Sequence, residues 1–292
     1  MVIALKEKII QISVVVFLLL FSFYYTEKAV EFIRDQDPIM KRIKENEDKF
    51  IEKPVNADMN DNYLIPGVSG LKVNYKESFS KMKQYGTYNE SLLVFKEVMP
   101  TISMDDYYDK YIMAGRGVNN DVSLVFRVES NDDITEVLNT LDKTGVVATF
   151  FIDGLWLDNN VNLVTEMTFN SHQIEILNYH GTYDEIYFSN ALGKLQRITN
   201  LKPKYCYALY DQKEVLELCS KLKLHTVIPT IKTGNYPFQE VKRKLNKGAI
   251  VGFTMNSSTN IELETVINYI KQKGYELNTL DYLLLEIKNN QK

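Results

Sequence analysis

Cysteine is scarce in this chain, and its two residues, Cys206 and Cys219, form no CxxC and no Cys/His ligand spacing. That excludes a zinc-finger type of structural site. Cys206 falls at the end of a predicted strand and Cys219 inside a predicted helix. The expectation is two buried free thiols. Pairing stays open, because it depends on Cα separations that a sequence does not give. Positive charge is not in excess either: 34 Lys and Arg stand against 38 Asp and Glu, a net charge of −4. A nucleic-acid binder would normally carry a basic face. One long apolar run exists, but no small-x-small cleavage site follows it. Phe23, Tyr24 and Tyr25 are bulky, which argues against a cleaved signal peptide.

The rest of the composition is that of a globular protein, 45% hydrophobic and 25% charged. A chain of 292 residues has room for one large domain plus extras. Its 19 tyrosines would suit sugar contacts where they reach the surface.

The apolar run is Ile9–Tyr25, with Lys6 and Lys8 ahead of it. About 20 apolar residues span a bilayer, and leading lysines favour an inside N-terminus. Residues 1–26 are read as an uncleaved signal anchor, which would place the rest of the chain outside the cytoplasm. Asp37-Pro38 has the form of a helix start, an N-cap followed by proline. Ile39, Ile43, Phe50 and Ile51 then recur at roughly helical spacing among charges. Residues 27–53 are predicted to be a helical stalk through which the chain could pair with a second copy. Residues 54–118 read as a small α+β segment, with a short helix at Ser78–Tyr85, a strand at Ser91–Val98 and no assigned chemistry.

From 119 to 288 strand-like runs alternate with helical patterns. Predicted strands lie at Leu124–Phe126, Ala148–Ile152, Ile174–Leu177, Lys204–Leu209, His225–Pro229 and Ala249–Phe253. The helical patterns between and after them lie near 132–143, 161–168, 186–198, 213–222, 238–245 and 261–273. This alternation means βα units and a parallel sheet, an α/β fold.

The runs VSLVF (Val122–Phe126), VVATFFIDG (Val146–Gly154), SHQIEI (Ser171–Ile176), KPKYCYALYD (Lys202–Asp211), GAIVGFT (Gly248–Thr254) and KGYELNTLDYLL (Lys273–Leu284) resemble the polysaccharide deacetylase (NodB-homology) family. The resemblance implies a distorted (β/α)7 barrel with its site at the C-terminal strand ends. It also implies a divalent metal such as zinc, a general base and a general acid. The residues here differ. Where the family has Thr-Phe-Asp-Asp-Gly, this chain has Val125, Phe126, Arg127, Val128 and Glu129. Arg127 cannot accept a proton, and Val128 has no donor atom. Read without a gap from His172, the family's His-x-x-x-His metal pair falls on Leu177 and Gly181, neither of which can bind; read with a short insertion, the preferred alignment, the run Tyr179–Glu185 puts His180 and Asp184 there. His172 matches a structural histidine. Arg-x-Pro-Tyr-Gly becomes Cys206, Tyr207, Ala208, Leu209 and Tyr210. The final Leu-x-His becomes Gly252, Phe253 and Thr254, and threonine is no acid near neutral pH. A guanidinium beside a metal would also repel it, by roughly 4 kcal/mol per unit charge at ~4 Å and an effective dielectric of ~20.

The expected function is therefore a membrane-anchored, extracytoplasmic deacetylase-like protein that is catalytically inactive and binds cell-wall glycan, with no metal or other cofactor. Trp156, Tyr179, Tyr183, Tyr207, Tyr210 and Tyr236 are the candidate stacking faces. One alternative is an enzyme with a rebuilt site from Glu129, His180 and Asp184, joined by Asp153. Another is a structural protein of envelope assembly.

Overall fold

The computed structural model describes residues 2–118 and 120–286. They form two compact units, one of residues 2–53 and 70–98, the other of residues 54–69, 99–118 and 120–286. The division is not linear along the chain. The segment 54–118 contributes to both units, because Gly70–Val73 pairs antiparallel with Phe95–Val98 in the first, while Tyr63–Ile65 pairs with Tyr111–Ile112 in the second.

In the first unit a single helix runs Val2–Gln36. Its stretch Ile12–Gln36 is long and apolar enough to cross a membrane, with a mean hydropathy of 1.5. The helix continues past the expected anchor end at residue 26. It stops at Asp37, whose side chain caps the next helix, Pro38–Asn46, by accepting from the Ile39 amide at 2.9 Å. The expected stalk is thus divided between two helices. Ile39 and Ile43 are buried with Val73 and Met82, the latter on the helix Tyr75–Tyr85. Of the four apolar residues read along the stalk, Ile39 and Ile43 are thus covered within the chain, Phe50 is half-buried and Ile51 is exposed.

The second unit holds two sheets. The larger runs, in order, Ile231–Lys232, Ile250–Thr254, Asp121–Val128, Thr149–Ile152 and Gln173–Ile176, all parallel. Glu276–Asn278 joins the first part of the central strand. The smaller runs Asp58–Met59, Tyr63–Ile65, Tyr111–Ile112, His225–Val227 and Tyr205–Tyr207. Helices Thr135–Thr144, Val161–Phe169, Glu185–Thr199, Lys213–Lys221, Pro237–Lys244 and Ser257–Gln272 follow the strands, close to the expected spans.

Side-chain alternation divides the central strand between two cores. Val122, Leu124, Phe126 and Val128 enter the core that the helices cover. Phe126 stacks on Phe150 and on Phe253 from its two neighbour strands, each at 5.0 Å. Val125 faces the other way, into a core with Phe151, Leu177, Tyr207 and Ile250.

The expected seven-strand set does not appear as one continuous ladder. No backbone ladder joins Gln173–Ile176 to Tyr205–Tyr207 among the described residues. The buried carboxylate of Glu175 takes that place, accepting from the amides of Lys204 at 2.9 Å and Tyr205 at 3.1 Å.

Candidate functional site

At the C-terminal ends of Asp121–Val128 and Tyr205–Tyr207 lies a cavity of about 260 Å³. Arg127, Glu129, Asn178, Tyr183, Tyr207 and Tyr210 line it, with Gly181, Leu209 and Gln212. Arg127 and Glu129 stand two residues apart, hence on the same side of an extended chain. Their side chains form an ion pair, partly exposed at 30% and 37%. An ion pair this open to water adds about 1 kcal/mol or less to stability. Its chemical effect is larger, since it fills the expected base position with a neutralised pair. Val128 is fully buried on the opposite side, among the residues under the helices.

Tyr207 is 2% exposed and packs on Phe151 at 5.3 Å. Burial pushes its hydroxyl up to about 12. Burial also raises Tyr183, with the Arg127 charge opposing. Both therefore stay protonated near neutral pH, as neutral donors. Tyr210 is 60% exposed at the mouth. Asn178 is buried, and its Oδ1 has no hydrogen-bond partner. Sequence reasoning missed Asn178 and Gln212. The available signal was a polar Asn178 directly after the apolar pair Ile176-Leu177.

The other candidates are placed elsewhere. Asp153 is buried and caps the helix Gly154–Asn159, accepting from the Leu155 amide at 2.8 Å and the Gly181 amide at 3.1 Å. That helix turns Trp156 inward. The ring is 3% exposed and its Nε1 donates to the Asp132 carbonyl at 2.9 Å, so Trp156 is core and offers no face to a sugar. Gly154 is needed there, because a Cβ would lie 2.4 Å from the Tyr179 ring. Tyr179 stacks on Tyr187 at 5.3 Å, and its hydroxyl donates to Asp158 at 3.1 Å. Tyr236 is exposed at the start of Pro237–Lys244, outside the cavity lining. Thr254 ends its strand half-buried and accepts from the Asn256 side chain at 3.1 Å.

The rebuilt-site candidates are not gathered. Tyr179 and Thr182 bridge as a tight hairpin, with positive φ at His180 and Gly181. His180 is exposed and does not line the cavity. Asp184 caps the helix Glu185–Thr199, accepting from the Ile186 amide at 2.9 Å and the Tyr187 amide at 3.2 Å. A divalent metal therefore has no fitting donor set here. Val128 offers only carbon, Asp184 is engaged by backbone amides, and among the described residues no three His, Cys, Asp or Glu side chains come together to hold an ion.

The cysteines also differ from expectation. Cys206 and Cys219 form a disulfide, with Cα atoms 6.3 Å apart. Tyr205 and Tyr207 face the inner core, so Cys206 points under the helices and meets Lys213–Lys221. The position aligned with the family's orienting arginine thus faces away from the cavity.

No family model matches the chain. An uncharacterized protein of Bacillus subtilis, YlxY, is 28% identical, with 96% of this chain and 98% of YlxY covered. Among solved structures, BA3943 of Bacillus anthracis, described as a CE4 family pseudoenzyme, aligns with a TM-score of 0.65 at 24% identity, over 86% of this chain and 96% of BA3943. A mutant of BA3943 is described as having restored enzymatic activity. Bacillus subtilis PdaA, a family 4 carbohydrate esterase, aligns with a TM-score of 0.53 at 18% identity, over 80% of this chain and 97% of PdaA. The chain has the fold of these family 4 carbohydrate esterases.

Proposed function

We propose that this chain is a membrane-anchored, extracytoplasmic relative of the polysaccharide deacetylases that binds cell-envelope glycan without hydrolysing it. The observation that carries the reading is the Arg127–Glu129 ion pair on the cavity floor. Amide hydrolysis needs a base there, and an arginine paired with a carboxylate is none. Val128, buried beside it, supplies no metal ligand. What the cleft retains is shape, tyrosine hydroxyls and the unpartnered Asn178 amide, all suited to a hydroxyl-rich neutral ligand. The description of BA3943 as a pseudoenzyme supports the loss of catalysis. The N-terminal helix supports the anchor. The disulfide supports an oxidising compartment outside the cytoplasm.

The contact face differs from the one read in the sequence. Trp156 and Tyr207 are buried, whereas Tyr210 stands at the mouth. Titration of the full chain in nanodiscs with N-acetylglucosamine oligomers tests the reading. Saturable binding is expected, weakened several-fold by Tyr210→Ala and unchanged by Tyr236→Ala. Absence of binding, or binding indifferent to Tyr210→Ala, contradicts it.

A further inference from the structure

The strand Tyr205–Tyr207 carries the cleft at its C-terminal end. At its other end lies a separate cavity of about 300 Å³. Part of its wall is apolar, made by Met99, Met104, Tyr108, Pro203 and Leu285, and the rest is charged. Each of its carboxylates accepts a hydrogen bond from within the chain, although the Asp105 side chain is 69% exposed. Asp105 accepts from His225 Nε2 at 2.9 Å. Asp281 takes Lys204 Nζ at 2.7 Å and the Tyr205 hydroxyl at 3.2 Å. Glu286 accepts from the amides of Gly67 at 2.7 Å and Met104 at 3.0 Å.

Three lysines line the cavity with these three carboxylates. Only Lys204 among them is ion-paired; Lys202 and Lys223 are exposed, and neither has a carboxylate partner among the described residues. The Lys223 ammonium sits 4.9 Å over the ring of Tyr108, which stacks on His225 at 4.3 Å. His225 is 4% exposed, and its Nδ1 is buried without a hydrogen-bond partner. A half-open concave space that combines apolar side chains with charged ones can admit a small molecule. Lys202, exposed and without a carboxylate partner, and Lys223, exposed and held only over the Tyr108 ring, favour an anion at the rim, and a lysine recognises it as a point charge rather than by a fixed fork.

We propose that this cavity is a second ligand site, for a small molecule that joins one anionic group to an apolar or aromatic body. The apolar body fills the space between Met104, Tyr108 and Leu285. The anionic group meets Lys202 and Lys223. The site is independent of glycan binding in the cleft, since the two share no lining residue.

The test uses naphthalene-1-carboxylate and its uncharged analogue naphthalene-1-carboxamide, titrated calorimetrically into the full chain in nanodiscs, with empty nanodiscs subtracted. One carboxylate should bind per chain, at least fivefold more tightly than the amide, and the preference should shrink at high salt as the charges are screened. The double variant Lys202→Gln/Lys223→Gln should lose the preference while keeping its fold. Tyr210→Ala, at the other end of the strand, should leave binding unchanged. Equal binding of acid and amide, no binding at millimolar ligand, or carboxylate binding lost in Tyr210→Ala would each overturn the proposal.

Discussion

Replacing both cysteines, Cys206→Ala/Cys219→Ala, should lower the stability of the second unit without changing its fold. The bridge joins residues 13 apart in sequence. Closing a loop of about 15 residues removes ~3 kcal/mol of unfolded-state freedom in the chain-entropy account. In a domain of 150–250 residues each kcal/mol moves the midpoint by roughly 2–4 °C, so a fall of about 6–12 °C is expected. The chain carries its own reporter. Its single tryptophan, Trp156, is buried in the same core as both cysteines. Its fluorescence should follow thermal unfolding of the full chain in detergent. Wild type under reductant should fall to nearly the midpoint of the double variant, and reductant should not move the variant. An unchanged midpoint, or two titratable thiols in the unreduced native protein, would refute the reasoning.

Trp156→Ala should destabilise the unit by about 3–5 kcal/mol, the usual cost of emptying a large core site, while the folded fraction keeps its glycan affinity; circular dichroism paired with the binding assay separates the two. Glu175 gives a pH prediction. Burial pushes its carboxyl up to about 8, although Gln173, Tyr205 and Lys204 all hydrogen-bond its charged form. A folded-state value above the unfolded one means that the native state holds a proton the unfolded state releases, so stability should fall as pH rises from about 4.5 through 8. Denaturant midpoints across that range should show the slope in wild type and lack it in Glu175→Gln.

The strand and helix alternation from residue 119 onward was legible because period-2 and period-3.6 patterns are local properties, and six helices fall close to their expected spans. The two-residue strands Tyr111–Ile112 and Ile231–Lys232 carry too little pattern to be read. The two sheets part at two places: Glu175 reaches the amides of the next strand in place of a ladder, and His225–Val227 pairs with Tyr111–Ile112 rather than with Ile231–Lys232. At the site, the sequence named candidate positions but not the directions of their side chains. A four-residue spacing such as His180 to Asp184 gathers side chains on a helix, yet here it crosses a hairpin turn and ends at a cap. Proximity to a strand end placed Trp156 near the cleft, but the cap at Asp153 turns it into the core. The cysteine pair depends on strand alternation and helix docking together, which no local pattern reports.

The central claim is that a cleft floored by the Arg127–Glu129 pair, with no fitting metal donors, does not catalyse deacetylation. Acetate release from N-acetylglucosamine oligomers, measured with the full chain and zinc supplied in excess, tests it most directly. Loss of members of a catalytic unit costs many orders of magnitude, so release should equal the protein-free background with and without zinc. Zinc-dependent release by the wild type that disappears in His180→Ala or Asp184→Ala would contradict the account.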